Sequence, residues 1–489
     1  LSQLVDAPVA RADAEPARRP QLPVLPLLVA GCFALAALSL ILPSPPGKDP
    51  WAWIIWGREV AHFDLDTMSG SSWKPLPVLI TTPFSVFGDA APQLWILVVR
   101  AGALLAVLFA FRVASRLAGT AAGVVAAVAV ALAAWPRYVA QGNVEPLSAA
   151  LVLIGVERHM SGHRHQAMVC GALAALGRPE LWPFLALYAL FVFFRKGTRK
   201  PVVIALLLIV PLLWLGGDLW GSGDAFHGSK RAAGTKERAK KREQRLVEKA
   251  RAEGKPPPRL RAESSAVSHT VGGARHLLIF PAYLAALAGL GFALWRRQRE
   301  ALVLAGAAAA LFAVVALMSL LGYGGSPRFL FPAVGLVGVL AGVGAGSLLK
   351  AVGGGARAAL LAVLLLAGSA PFIVDRADEF RAEGKLVQTR SDLQDDLHRV
   401  IQRAGRDRVL AVGQPNTPGE FAHQLAWELG IHLEAVGGGT PPAVIFTGPP
   451  PPFEAQPLPT KHVRVTLLAT ADVWKAYAVV PAPKARHHR

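Results

Sequence analysis

The chain has 489 residues, of which 53% are hydrophobic and 17% charged, with a mean hydropathy of +0.41; this is too apolar for an ordinary soluble protein and places it in a membrane class. Much of the formal net charge of +19 is topological, because basic residues collect on cytoplasmic loops, and with no DNA or RNA recognition motif alongside it, nucleic acid is excluded as a partner. Cys32 and Cys170 are the only cysteines and lie inside apolar runs, which excludes a disulfide framework.

Apolar runs able to cross a hydrocarbon core, about 20 helical residues each, begin at Leu22 and end at Val374. Basic clusters (Arg11/Arg18/Arg19, Arg112/Arg116, Arg158 to Arg164, Arg195 to Lys200, Arg296 to Arg299, Lys350/Arg357) fall at every second boundary. The positive-inside rule makes those boundaries cytoplasmic. About eleven spanning helices follow, over roughly 22–42, 94–112, 119–135, 144–158, 166–177, 181–194, 201–217, 276–294, 301–321, 329–349 and 357–374. The first reads as uncleaved, since Pro43-Ser44-Pro45 replaces a small-x-small cleavage pattern. The odd number puts the C-terminus outside. The expected division is a cytoplasmic tail over 1–21, a membrane domain over 22–374 and an extracytoplasmic domain over 375–489, in the plasma membrane of a bacterium.

Three segments face outside in this scheme. In the first, 43–93, Trp51, Trp53 and Trp56 suit the interfacial plane where tryptophans settle, and Leu76 to Phe87 reads as a surface or re-entrant helix broken by Pro77 and Pro83. The second, 218–275, contains a charge-dense insertion, Lys230 to Arg261, with 13 basic and 4 acidic residues. In the third, short apolar runs at Val409 to Val412, Ala443 to Phe446, Val463 to Leu468 and Ala476 to Val480 alternate with a helical stretch, Glu420 to Leu429. That pattern reads as a small α/β unit, in which Gly437-Gly438-Gly439 is a turn rather than a phosphate loop. The fold class is thus an all-α polytopic membrane protein with a small C-terminal α/β extracytoplasmic domain.

Acidic groups at the outer face of so apolar a chain call for an explanation. Asp49, just beyond the first helix, reads equally well as a general base at the lipid–water boundary or as a helix cap before Pro50. Asp49, Arg58-Glu59, Trp73-Lys74-Pro75-Leu76-Pro77 and Phe87-Gly88 resemble the first outside loop of the GT-C glycosyltransferases, within which bacterial aminoarabinose transferases and protein O-mannosyltransferases are the nearest parallels. The Lys-Pro-Leu-Pro element departs from the usual Lys/His-Pro-Pro-Leu, and Pro50 stands where many relatives carry a second acid. Arg100, Glu145-Pro146, Gly177-Arg178-Pro179-Glu180 and Ser326-Pro327-Arg328-Phe329 extend the resemblance, in order, over residues 20 to 375.

The resemblance implies an inverting membrane glycosyltransferase of the cell envelope. Its donor is a polyprenyl-phosphate-linked sugar, its acceptor a glycan, lipid or protein hydroxyl, and Asp49 its base. Arg58, Lys74, Arg178 and Arg328 are the cations for the leaving phosphate, for which arginine's planar fork is suited; Glu59, Arg100, Glu145 and Glu180 complete the binding set. Against these stand plain readings: Arg328 as an interfacial snorkelling residue, and Arg178 and Glu180 as a helix start. Asp218, Asp224 and His227 form a second outside cluster. A divalent metal there is compatible with the residue types but not with any recognised spacing, which favours solvated loop residues. No cofactor is otherwise implied. The rival classes are a lipid or solute transporter, which would carry mid-membrane ionisable groups and repeated halves, and a non-catalytic cell-envelope assembly protein.

Overall fold

The computed structural model describes residues 24–234, 270, 272–323, 326–448, 458–459 and 462–482, with Gln244, Val247 and Glu248. The expected cytoplasmic tail and nearly all of the basic insertion after Gly234 lie outside the described residues. The first helices are α1 Val24–Leu38, α2 Lys48–Ala61, α3 Pro75–Phe84, α4 Ala91–Ala118, α5 Thr120–Ala131 and α6 Pro136–Ala140. Then come α7 Glu145–Met160, α8 Arg164–Gly177, α9 Trp182–Phe193, α10 Lys200–Ser222 and α11 His227–Ala233. The last are α12 Phe280–Trp295, α13 Arg299–Leu320, α14 Phe331–Ala351, α15 Gly355–Ala404, α16 Arg406–Val412 and α17 Ala422–Leu429.

A helix lies over each of the eleven expected stretches. Among the described residues six helical stretches, Val24–Ile41, Pro75–Ala118, Lys200–Ser222, Arg299–Leu320, Pro327–Ala351 and Gly355–Ala404, are long and apolar enough to cross a membrane. Large apolar side chains on their outer faces, such as Leu38, Leu212, Val303 and Leu366, are exposed, as contact with lipid tails requires. Inside the bundle α14 is buried along nearly its whole length. Its Gly338, Gly342 and Gly346 recur every four residues and lie against Val130, Ala126 and Ala122 of α5, so close that a Cβ on Gly342 would sit 2.2 Å from the Ala122 carbonyl oxygen. Small residues at this spacing let helices in lipid approach backbone to backbone. At one end of the bundle the buried Glu157 takes ion pairs from Arg112, at 2.6 Å, and from Arg158; this is the end that carries the expected cytoplasmic basic clusters.

At the other end α2 and α3 lie across the bundle. Trp51, Trp53 and Trp56 are buried there, which corrects the interfacial placement read from the sequence. Trp51 meets Trp427 at 6.3 Å, Trp53 meets Trp95 at 6.0 Å and Trp56 meets Trp73 at 5.8 Å. α2 is therefore a layer between the membrane helices and the C-terminal unit. Contrary to the expected breaks at Pro77 and Pro83, Pro77 falls in the first turn of α3, where a proline is tolerated, and α3 contains Pro83 as well; the chain kinks later, at Gly88, φ 54°.

α15 continues without a break past residue 375, so its second half forms part of the C-terminal unit. That unit holds four strands, β1 Gln414–Asn416, β2 Ala443–Thr447, β3 Val463–Thr470 and β4 Lys475–Pro481, in the order β1-β2-β4-β3. β1 runs parallel to β2 and the other pairs are antiparallel, with Val444 opposite Ala478 and Arg464 opposite Val480. Val409 to Val412 falls in the short helix α16 rather than in a strand: Gly405 and Gly413, both at positive φ, bracket about two helical turns, and a four-residue apolar run carries too little periodicity to distinguish the two. Leu397, Ile401, Phe421, Leu425, Phe446 and Trp474 form the core. The Asp396 carboxylate accepts the backbone N–H groups of Asp472, Val473 and Trp474 at 2.7–3.0 Å, which ties the β3–β4 hairpin to α15.

Candidate active site

Five separated segments meet at the end of the bundle under α2. Asp49 lies in the first turn of α2, whose Gly47 N–H is held by the Gln141 carbonyl at 2.8 Å. Lys74 precedes α3, and the neighbouring Trp73 packs on Gly217 and donates its indole N–H to the Leu213 carbonyl at 3.1 Å. Glu145 opens α7, Arg178 is the extended residue between α8 and a short 3₁₀ turn, and Arg328 lies in the 3₁₀ turn before α14.

Arg328 joins these parts. Its Nη2 donates to Asp49 Oδ2 at 2.7 Å, its Nη1 to Asn143 Oδ1 at 2.6 Å, and its Nε lies 3.3 Å from Glu145 Oε1. Ser71 donates its hydroxyl to the second Asp49 oxygen at 2.6 Å. Arg178, 3% exposed, donates to Glu145 at 2.8 Å and to Glu180 at 2.5 Å and 3.1 Å, while its guanidinium stacks 3.9 Å from the Phe329 ring centre. The Glu145 Oε2 atom is buried and has no hydrogen-bond partner among the described residues. An acceptor left bare inside a polar cluster is a place for a ligand hydroxyl.

Lys74 is buried, with its ammonium 4.9 Å from the Trp53 ring centre, and it forms no ion pair among the described residues. Burial, then the neighbouring charges of Arg178 and Arg328, pull its pKa down to about 8. Burial alone would raise the Asp49 carboxyl, but the charges of Arg328 and Lys74 and the hydrogen bonds from Ser71 and Arg328 outweigh it and hold Asp49 well below the usual carboxylate range. Asp49 is an anion throughout the neutral range, and Lys74 is the cation with no carboxylate of its own.

An apolar cavity of about 540 Å³ runs between α7, α8, α9, α13 and α14, lined by Leu151, Phe184, Leu185, Leu304 and Leu311 among others. Leu181 and Pro332 also line it, one residue from Glu180 and four from Arg328. None of the cluster's charged residues lines the cavity, whose ionisable lining is His159, Arg299 and Glu300 with Tyr188.

Of the residues expected to act together, Asp49, Lys74, Glu145, Arg178, Glu180 and Arg328 converge. The others lie elsewhere. Arg58 and Glu59 are at the far end of α2, about 14 Å along it at 1.5 Å per residue: Arg58 donates to the carbonyls of Trp427 and Ile431 at 3.2 Å and 2.8 Å, and Glu59 takes the Asp66 N–H and faces His432 at 2.9 Å. Arg100 donates to the Ser39 and Pro43 carbonyls and to the Ser44 hydroxyl, tying down the chain as it leaves α1. Asp224 pairs with Lys230 at 2.6 Å and Asp218 accepts the Gly228 N–H at 2.9 Å, so both carboxylates shape the loop between α10 and α11; His227 opens α11 beside them. Among the described residues no three His, Cys, Asp or Glu gather as a metal site. Ser71 and Asn143 belong to the cluster but carry no charge and no motif that marks them in the sequence, whereas Phe329 ends the element Ser326-Pro327-Arg328-Phe329.

No protein-family model matches the sequence, and no curated protein matches it. The structure, however, superposes on the crystal structure of ArnT from Cupriavidus metallidurans bound to undecaprenyl phosphate with a TM-score of 0.55, at 13% identity, covering 93% of this chain and 98% of that one. It superposes on ArnT of the same organism in the apo state with a TM-score of 0.53, at 15% identity, covering 93% and 97%. The chain has the GT-C fold. Its membrane helices and C-terminal α/β unit are the parts of a GT-C chain over almost the full length of both partners, and it is a multi-pass membrane protein.

Proposed function

We propose that this protein is a membrane glycosyltransferase that moves a sugar from a polyprenyl-phosphate carrier to a hydroxyl acceptor, with inversion at the anomeric carbon. The observation that carries this reading is the convergence of Lys74, Arg178 and Arg328 beside Asp49 at the end of a bundle that also holds an apolar cavity. An isoprenoid tail needs an apolar channel and its phosphate needs fixed cations, and the ArnT structure with undecaprenyl phosphate is a precedent for such a carrier in this fold.

In this mechanism the acceptor oxygen attacks the anomeric carbon and its proton passes to Asp49. The bond from that carbon to the phosphate oxygen breaks, and the released oxyanion is held by Lys74 and the arginines. A single displacement of this kind inverts the centre. An incoming phosphate competes with Asp49 for Arg328, which loosens the ion pair and makes Asp49 a better base when donor is bound. Glu145 Oε2 accepts a hydroxyl of the donor sugar. The acceptor is a glycan, lipid or protein hydroxyl outside the cell, with the N-terminus cytoplasmic and the C-terminal unit extracytoplasmic, as in a bacterial plasma membrane.

The test is transfer of labelled sugar from a panel of polyprenyl-phosphate donors by the protein in liposomes. No transfer from any of them, with protein that binds the carrier normally, overturns the reading. Reporter fusions after Glu248 and at the C-terminus test the orientation, and a cytoplasmic signal from either breaks it.

A further inference from the structure

A second cavity, of about 590 Å³, lies between the chain leaving α1, the start of α4, the second half of α15 and α17. Nothing in the transfer mechanism uses it. Trp51 and Trp427 line it, with their rings 6.3 Å apart. So do the amide side chains of Gln93, Gln388, Gln394 and Gln424, and the carboxylates of Asp89, Asp395 and Glu428. Among the described residues no lysine or arginine lines it, and its one basic group, His398, is held by Glu428 at 2.8 Å. Two of the buried lining side chains have an unanswered polar atom: the indole Nε1 of Trp51 is a donor, and Oε1 of Gln424 an acceptor, with no hydrogen-bond partner among the described residues. The Gln424 amide is fixed by its other end, which donates to the Gln394 carbonyl at 2.8 Å.

We propose that this cleft binds a neutral or amine-bearing saccharide. Sugars present apolar C–H faces that sit on indole rings and hydroxyls that pair with planar amides and carboxylates, and both are supplied here. Three carboxylates without a free cation repel phosphate and sulfate groups, so the ligand is not the donor headgroup. Trp51 and Asp49 stand two residues apart on α2 and face different sides of the helix: Trp51 meets Trp427 of the C-terminal unit, and Asp49 meets Ser71 and Arg328. Saccharide binding in the cleft does not rest on the glycosyltransferase reading.

The test uses the full-length protein in nanodiscs on a printed array of neutral, amino and phosphorylated glycans, with affinities of the retained glycans measured by titration. Neutral or amino glycans should be retained over phosphorylated ones. Gln424→Leu, and the exposed-rim double variant Gln93→Ala/Asp395→Ala, should each weaken binding at least about tenfold. Retention of no neutral or amino glycan, a preference for phosphorylated ones, or unchanged affinity in the rim variant overturns the proposal. If Gln424→Leu does not fold, the rim variant decides. Loss of the binding result with transfer activity intact removes the cleft and leaves the enzyme reading standing.

Discussion

Arg328 and Asp49, 279 residues apart in the chain, form an ion pair of 2.7 Å that closes the site over Glu145 and Asn143. The guanidinium uses all three of its nitrogens at once, which a lysine cannot do. Arg328→Lys should keep the charge and lose the fork. With charge-assisted hydrogen bonds contributing about 1.5–3 kcal/mol each, transfer by a folded Arg328→Lys protein should fall about ten- to a hundredfold. Steady-state transfer rates check it, and an undiminished rate would mean that only the charge at this position counts.

Arg178 is a different kind of cation. It is 3% exposed between Glu145 and Glu180, which are as deeply buried, so its removal leaves two carboxylates facing each other inside the protein. Arg178→Met should lower stability by about 3–5 kcal/mol, seen as an early thermal transition in detergent. A variant as stable as the wild type would show that Arg328 alone neutralises this pair.

Lys74 gives donor binding a pH dependence. Burial and the charges of Arg178 and Arg328 bring its pKa to about 8, and a bound phosphate oxyanion raises it again. The complex then holds the proton more tightly than the free protein does. Donor affinity should be flat below about pH 8 and fall as pH rises through and above it; in Lys74→Gln the affinity should be weaker and that slope gone. Carrier binding measured from pH 7 to 10 decides, and the same slope in the variant would assign the proton to another group.

Hydropathy and the spacing of basic clusters made the membrane helices legible, because each is a local property of the chain. Convergence is not local. Glu145, Arg178 and Arg328 come from three loops whose meeting depends on how α7, α8 and α14 pack, and without the resemblance to GT-C enzymes their residue types say only that charge lies near the outer face. Glu59 shows the converse: the resemblance put it with Asp49, yet nearly three turns of helix carry it to the C-terminal unit. Asn143 and Ser71, uncharged and outside the quoted motifs, left no mark.

The contact made by Glu59 should loosen as pH rises. Burial, eased by hydrogen bonds from Asp66 and His432, raises the Glu59 pKa to about 7, and although burial disfavours the His432 cation, Glu59 and Asp64 raise His432 above its usual value. Both groups bind protons more tightly folded than unfolded. Their contribution is therefore complete below about pH 4.5, the unfolded value for a glutamate, and is lost as pH climbs through 7 and then through the folded pKa of His432. Amide exchange in α17 and in the loop carrying His432 should be faster at pH 8.5 than at pH 5.5 after correction for the intrinsic rate. His432→Gln should reduce that difference; an unchanged difference would place the titrating group elsewhere.

Asp49 carries the sharpest expectation. It has two partners, Ser71 and Arg328, one on each carboxylate oxygen, and both remain available to an asparagine: the amide oxygen can accept from Arg328 and the amide N–H can donate to the Ser71 oxygen, and since Gly47 rather than Asp49 is the N-cap of α2, no cap is lost. What an asparagine cannot do is take a proton. If general-base catalysis contributes about a hundredfold to ten-thousandfold, Asp49→Asn should lose at least about a hundredfold in transfer while binding the carrier as tightly as the wild type, or more tightly, because Arg328 is then freed from its carboxylate. Transfer of labelled sugar and carrier titration on the same preparation separate the two effects. Near-normal transfer by the folded variant would take Asp49 out of the mechanism.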